Sequence, residues 1–454
     1  MTIIWQIAAH EWTTLWRSAA IGTLTCIVTI LGTVTAITEW QEWKREQTIR
    51  EQIQAREITQ WLNLGEMHFH KAAHMGYFLV RGLPPGVILD RGAWDYAGTV
   101  IWLETHKRNA TTLRPIDDRA LVARGMPRGV GPVLLWLTPV LMVVLMHGTI
   151  ARERISGSLA FMLGSGVSSG AIITGKTIAN SGAAILAAAV PLLLGGALSY
   201  SGGAPPGSIL AWWVSIILVL AVFAALITGI SALARSPQGA LVLLLSLWFT
   251  FVLVVPQLSV NAVDVVAPIP SSQVIRSNAE ATTYDLDNEP TLGRLKAEYN
   301  AQGITNLNES GLYNLASEID GSVALAELFA PLEKGMARQS TLLDILSWLS
   351  PIFAADRFGD SLSASADKDA FTFEQRAERQ RIETQMVINR AFAVSPKNSH
   401  GNPSLWKKVI NVASAAAKDI PDPGWNLAWP GLFIWAIIAM VLLTIASNMI
   451  KRGA

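Results

Sequence analysis

The side chains best suited to chemistry lie between positions 66 and 106. His70 and His74 are four residues apart, Glu66 lies one turn earlier, His68 is beside them, and His106 follows in the same stretch. Two histidines at i, i+4 present nitrogens on one helix face, where a metal could sit with a third ligand from elsewhere. The pattern falls short of the HExxH form and no cysteine assists. His70 and His74 are therefore only weak metal candidates. The plain reading is a satisfied structural histidine cluster, which packing under the GLPPG turn at 82–86 would support, with no metal expected. A second candidate is a decoy. Gly170, Gly175, Lys176 and Thr177 satisfy the letters of GxxxxGK(S/T), but LGSGVSS precedes them instead of a strand, and a long apolar window follows. A phosphate-cradling loop needs the strand–loop–helix setting. Lys176 is expected to snorkel to the membrane interface instead. No nucleophile elbow or triad appears, so no catalytic residue is expected.

The elements that must carry these residues are dominated by membrane spans. The chain of 454 residues is 51% hydrophobic and only 15% charged, with mean hydropathy +0.36. The charge is missing from a few long windows and near normal elsewhere, which indicates a membrane protein with water-facing insertions. Crossing a core of about 30 Å takes roughly 20 apolar residues. Six windows qualify, at 18–40, 129–150, 177–200, 208–233, 239–260 and 428–450, and Pro191 and Pro256 can kink two of them without expelling them. The first window reads as an uncleaved signal anchor. Trp16, Trp40, Trp212, Trp213 and Trp429 at window edges have the look of interfacial belts. The single cysteine, Cys26, excludes a disulfide within the chain. A net charge of +1 with no basic stripe argues against a nucleic-acid partner.

Short loops set the orientation. Arg17, Arg152, Arg154, Lys176, Arg235, Lys451 and Arg452 fall on one side if the spans alternate, whereas the loop at 202–207 has no Lys or Arg. The positive-inside rule then places both termini in the cytoplasm. Residues 1–17 have apolar positions at helical spacing and read as an amphipathic helix on that face. Residues 41–128 and 261–427 form two extracytoplasmic insertions, both expected to be mainly helical and to pack on each other. The first opens on a Gly- and Pro-free stretch from Glu39 to Asn63 that continues the first span outward, with Glu46 and Arg50 paired at helical spacing. In the second, Asp369 is a plausible cap for a helix reaching Ala393, Thr341–Ala355 is amphipathic and stops at Pro351, and Ser271–Gly303 is polar and partly mobile. The polypeptide enters and leaves this insertion through VAPIPSS and DIPDPGW.

The most informative stretch is the cytoplasmic loop at 151–176, within GTIARERISGSLAFMLGSGVSSGAIITGKT. Leu159, Phe161, Met162 and Leu163 would set an oily short helix in water, which calls for lipid or a partner surface. This loop resembles the ERxxGSL…GK pattern of ABC-2 type exporter permeases, with Glu153, Arg154, Gly157, Ser158 and Leu159 on the motif core and Gly175 and Lys176 at its end. Residues 1–17, with Glu11 and Arg17, look like that family's elbow helix, and Leu89–Asn109 looks like the first outer insertion of a bacterial subgroup with two enlarged extracytoplasmic loops. The resemblance implies an all-α polytopic fold of six transmembrane helices in the bacterial inner membrane. It implies a permease subunit, not itself an enzyme, that dimerises with itself or a sister permease. Separate ATPase subunits would bring ATP and Mg, and this chain would hold no cofactor. Arg152, Glu153, Arg154, Gly157, Ser158, Leu159, Phe161, Met162 and Lys176 would couple to those subunits, and Trp136, Pro139, Trp248 and Phe249 would line the path. Two other readings remain open: a mechanotransmission subunit that moves no substrate, and a membrane-anchored metal-binding sensor or enzyme.

Overall fold

The computed structural model describes residues 2–119, 121, 128–417 and 422–453. The first three residues of the exit segment DIPDPGW and the end of the first insertion, 122–127, lie outside them. The helices among the described residues are α1 (Ile3–Arg17), α2 (Ala20–Leu62), α3 (Phe69–Met75), α4 (Val130–Ser156), α5 (Ser158–Gly164), α6 (Ser169–Ser201), α7 (Pro206–Leu233), α8 (Pro237–Val266), α9 (Ser272–Tyr284), α10 (Glu289–Ala301), α11 (Glu309–Leu346), α12 (Pro351–Leu362), α13 (Asp367–Ala393), α14 (Pro403–Ala417) and α15 (Trp429–Gly453). Among the described residues six of them, α2, α4, α6, α7, α8 and α15, are long and apolar enough to cross a membrane. The chain is an all-α polytopic membrane protein.

The spans pack around α7, whose Ile216, Val219, Leu220 and Phe223 share one core with Leu24 and Val28 of α2, Leu134 and Met142 of α4, and Ala184 and Ala187 of α6. By contrast, α8 and α15 turn most of their apolar surface outward, through Leu243, Phe249 and Leu258 on one and Phe433, Ile437 and Met440 on the other. Two helices are locally wound wider, into π-turns at Val133–Leu137 in α4 and Thr250–Val254 in α8. In the second, where Pro256 has no N–H to give, the Phe251 carbonyl instead accepts the Ser350 hydroxyl, at 3.0 Å. Trp212 does not sit at an interface as its place in the sequence suggests. It is buried in the bundle, and Trp213 donates its Nε1 hydrogen to the Leu192 carbonyl at 2.9 Å.

Beyond the bundle, α2 runs on without a break. Its 43 residues reach roughly 65 Å. Its far end meets a second core in which Trp61, Phe69 and Tyr77 of the first insertion pack with Phe373, Ile388, Phe392 and Trp406 of the second. The two insertions therefore share one hydrophobic body. A small antiparallel sheet stands in the first insertion beside its helices. Its strands are β1 (Tyr77–Val80), β2 (Val100–Leu103) and β3 (Thr111–Thr112), in that order, with Tyr77 opposite Leu103 and Val100 opposite Thr112. YFLV and VIWL, rich in β-branched and aromatic residues, were the available signals.

In the second insertion Pro351 opens a helix instead of closing one. Ser350 accepts from the Phe353 amide at 3.1 Å as N-cap, and Pro351 takes the first helical position, where no N–H is needed. The resulting α12 is buried along its whole length against α7 and α15. Asp369 acts at the third position of α13, accepting from the Ala366 amide at 3.0 Å. The polar stretch from Ser271 to Gly303 folds as α9 and α10. Trp406 is fully buried where the insertions meet, and its Nε1 donates to the Gly65 carbonyl at 2.8 Å. Trp406→Ala is expected to cost about 3–5 kcal/mol. Protease sensitivity of the outer body should rise accordingly, and an unchanged digestion pattern would contradict a shared core.

Candidate functional site

The end of the bundle that carries both termini is assembled from five separated segments. Ile7 of α1, Ile150 and Leu159 of the loop region, Ile172 and Ile173 of α6, Ala232 of α7, and Ala446 and Ile450 of α15 make one apolar cluster. Gly175 is what lets α1 approach α6. A Cβ there would come within 2.8 Å of the Ile4 carbonyl and the Ile7 side chain.

At the centre of this end lies an ion cluster that the sequence did not disclose. Lys176 is 1% exposed and does not snorkel. Its ammonium contacts Glu11 of α1 and lies 2.8 Å from Glu153 Oε1 near the end of α4. Glu11 also accepts from the Thr149 hydroxyl at 2.5 Å. One lysine is thus held between two carboxylates from different helices, beside a cavity of about 170 Å³ lined by Gln6, Ile7, His10, Glu153, Met162 and Lys176. Burying such a charge is costly unless it is paired and hydrogen-bonded, which this arrangement supplies. Gly175, Lys176 and Thr177 lie well inside α6, which starts at Ser169 with Ser168 as cap. Their amides are committed to the helix and cannot cradle phosphate.

Two further contacts fix the loop. Arg154 donates to the Ala232 and Ala234 carbonyls, the latter at 2.5 Å, and so closes the C-terminal end of α7. A cation at a helix C-terminus is also favoured by the helix dipole. Ser231 Oγ accepts from the amides of Ile150 and Ala151, both at 3.1 Å. The chain then turns at Gly157, with φ +81°, a backbone region that suits glycine, and enters α5.

The candidate coupling residues therefore divide in two. Glu153, Arg154, Leu159 and Lys176 face inward, and Met162 is half-buried. Arg152, Gly157, Ser158 and Phe161 are exposed, Phe161 at 77%. Ile155 joins Phe161 on this surface at 66% exposure. In sequence it sits inside a charged run, ARERIS, which hides it, and the turn at Gly157 sets that run next to α5.

Of the candidate path residues, Trp136 and Trp248 meet. The Trp248 Nε1 donates to the Trp136 carbonyl at 2.9 Å, joining α4 to α8 beside their π-turns. Pro139 is buried in the bundle, and Phe249 lies on the exposed side of α8. His70 and His74 lie on α3 with His106 close by. Pro85 of the GLPPG turn accepts a hydrogen bond from Ser199 at the end of α6, at 3.1 Å.

At the opposite end of the bundle α2 carries an ionic collar. Arg128 reaches Glu39 and Asp95, both at 2.9 Å, and Arg91 reaches Asp95 at 2.7 Å and Glu46 at 2.6 Å. Glu46 thus gives its carboxylate to Arg91, and its expected partner Arg50 stacks on Trp94 at 5.0 Å. Nearby Asp90 is buried. Desolvation first, then the facing carboxylates of Asp360 and Asp356, push it well above the usual carboxylate range.

Comparison with known proteins adds one match. A family model described as "ABC-2 family transporter protein" matches residues 5–447, nearly the whole chain. No curated protein matches it.

Proposed function

Because the chain belongs to the ABC-2 transporter family, we propose that it is the permease of an ATP-driven exporter whose separate ATPase subunits dock on Ile155 and Phe161. The observation that carries this reading is the exposure of that apolar pair on a loop that is otherwise tightly held. Arg154 ties the loop to α7, Glu153 and Lys176 tie it to α6, and Glu11 brings in α1. A force applied to α5 would pass into three helices at once instead of bending a slack loop. Such coupling needs a connected element that both sites can bias.

ATP and Mg would be held by the partner subunits, and closure of those subunits would press on α5. The two apolar outward faces, on α8 and α15, suit lipid or a second permease copy. Trp136 and Trp248 are the pair to examine for the path, since their hydrogen bond spans the two helices that carry π-turns, a feature frequent at functional sites. Arg17, Arg152, Arg235, Lys451 and Arg452 at the terminal end support a cytoplasmic position for it, in a bacterial inner membrane.

Sidedness is testable with single cysteines. In a Cys26→Ser background, Ile155→Cys is expected to react with an impermeant maleimide in inside-out vesicles, and Val323→Cys on α11 only in intact spheroplasts. Labelling of both from the same side would overturn the orientation. Reconstitution with the partner ATPase should give ATP-dependent solute movement. Hydrolysis with no solute moved would favour force transmission to the outer body.

A further inference from the structure

Three histidines of the first insertion converge on one point. His70 and His74 lie one turn apart on α3, with their Nε2 atoms 3.2 Å from each other. His106 comes from another element, the tight turn closed by the bridge between Glu104 and Lys107, where its backbone sits at φ +61°. A side chain held in that region is uncommon outside glycine and marks a position its surroundings impose. One ring nitrogen from each histidine lies within 4.8 Å of the others. Two nitrogens bound to one tetrahedral zinc at about 2.0–2.1 Å stand roughly 3.3 Å apart. The His70–His74 spacing already matches that separation.

The groups behind the rings fit the same reading. His106 Nδ1 lies 3.5 Å from the Glu318 carboxylate, which also accepts from the His106 amide at 3.3 Å and the Thr105 hydroxyl at 3.0 Å. A carboxylate at Nδ1 keeps the ring proton there and leaves Nε2 free as a ligand. The Asn314 side-chain amide lies 3.1 Å from His70 Nδ1, and with its oxygen turned to the ring it would accept the Nδ1 proton and leave Nε2 of His70 free as well. Asn314 and Glu318 both belong to α11 in the second insertion.

We propose that His70, His74 and His106 form a three-nitrogen site for a divalent transition ion of the zinc type, oriented by Asn314 and Glu318 and open at its fourth position to water. Imidazole donors suit Zn, Cu and Ni, whereas the hard cations Mg and Ca prefer oxygen. A bound ion would lock α3 to the 104–107 turn and, through the outer groups, clamp both against α11. It would brace the outer body where the two insertions meet, independently of what happens at the terminal end.

The test uses the full-length protein in detergent, stripped with chelator and titrated with ZnCl₂. The wild type is expected to take up one Zn²⁺ per chain, retained through desalting, with a higher melting temperature. His74 is exposed, so His74→Ala should fold as the wild type does and yet lose stoichiometric zinc. Asn314→Ala should weaken zinc binding by roughly 10–100-fold, as loss of an outer-shell partner does. Wild type without stoichiometric zinc would overturn the site, leaving a hydrogen-bonded histidine cluster. So would a His70→Ala/His74→Ala double variant that binds zinc as tightly as the wild type. If the histidine variants fail to fold, the wild-type stoichiometry and the Asn314→Ala affinity still decide.

Discussion

Lys176→Met is expected to lower the unfolding free energy of the detergent-solubilised protein by about 3–5 kcal/mol. The substitution keeps most of the side-chain length and removes only the charge. It leaves Glu11 and Glu153 in a water-poor setting with no cation between them. Unlike the exposed ion pair of Arg45 with Glu42, this pair cannot recover its solvation from bulk water. The measurement is the midpoint of denaturant unfolding for four proteins: wild type, Lys176→Met, Glu11→Gln/Glu153→Gln, and the triple variant. Neutralising all three groups should recover much of the loss, since an apolar or neutral replacement of a buried ionic group is often tolerated where a half-broken one is not. If Lys176→Met unfolds at the wild-type midpoint, the cluster does not fasten α1 to α4 and α6, and the rigid-loop argument fails with it.

Phe161→Asp should behave in the opposite way. The ring is already in solvent, so the isolated permease should unfold as the wild type does. Binding of the partner ATPase should instead weaken by about 30-fold or more, the equivalent of a hot-spot loss of about 2 kcal/mol. Ile155→Asp should act in the same direction. Leu159→Ala makes the contrast. Leu159 is buried in the cluster beneath α5, so its loss should reduce stability. Affinity and unfolding measured on the same three variants separate a docking surface from a structural turn. An unchanged ATPase affinity for Phe161→Asp would place the docking surface elsewhere.

The two predictions concern residues 15 positions apart at the same end of the bundle, Phe161 on α5 and Lys176 inside α6, yet only one of the two roles can be read from its pattern. Phe161 stood out because an oily residue on a loop is a local anomaly. The role of Lys176 depends on Glu11, 165 positions earlier in the chain. In sequence Lys176 had the appearance of a lysine at a membrane entry, and the extra turns of α6 that draw it inside begin at Ser169. The histidines divide in the same manner. His70 and His74 are four residues apart on one helix, so their pairing was legible. Asn314 and Glu318 come from the other insertion.

What the sequence settled alone was everything set by short-range physics. A membrane span is about 20 consecutive apolar residues, and the six windows emerged as six span-length helices because each satisfies its own backbone hydrogen bonds. The outward continuation of α2 was likewise visible, since helix formers with no Gly or Pro leave nothing to stop it. Tertiary structure decided the pairing of charges, the burial of Trp212 and α12, the small sheet, and which face of the loop meets water. Each depends on groups distant in the chain, and a buried charge or polar group takes its partner from whatever packing brings near. Composition can demand that such a partner exist, but only the packed fold says which residue it is.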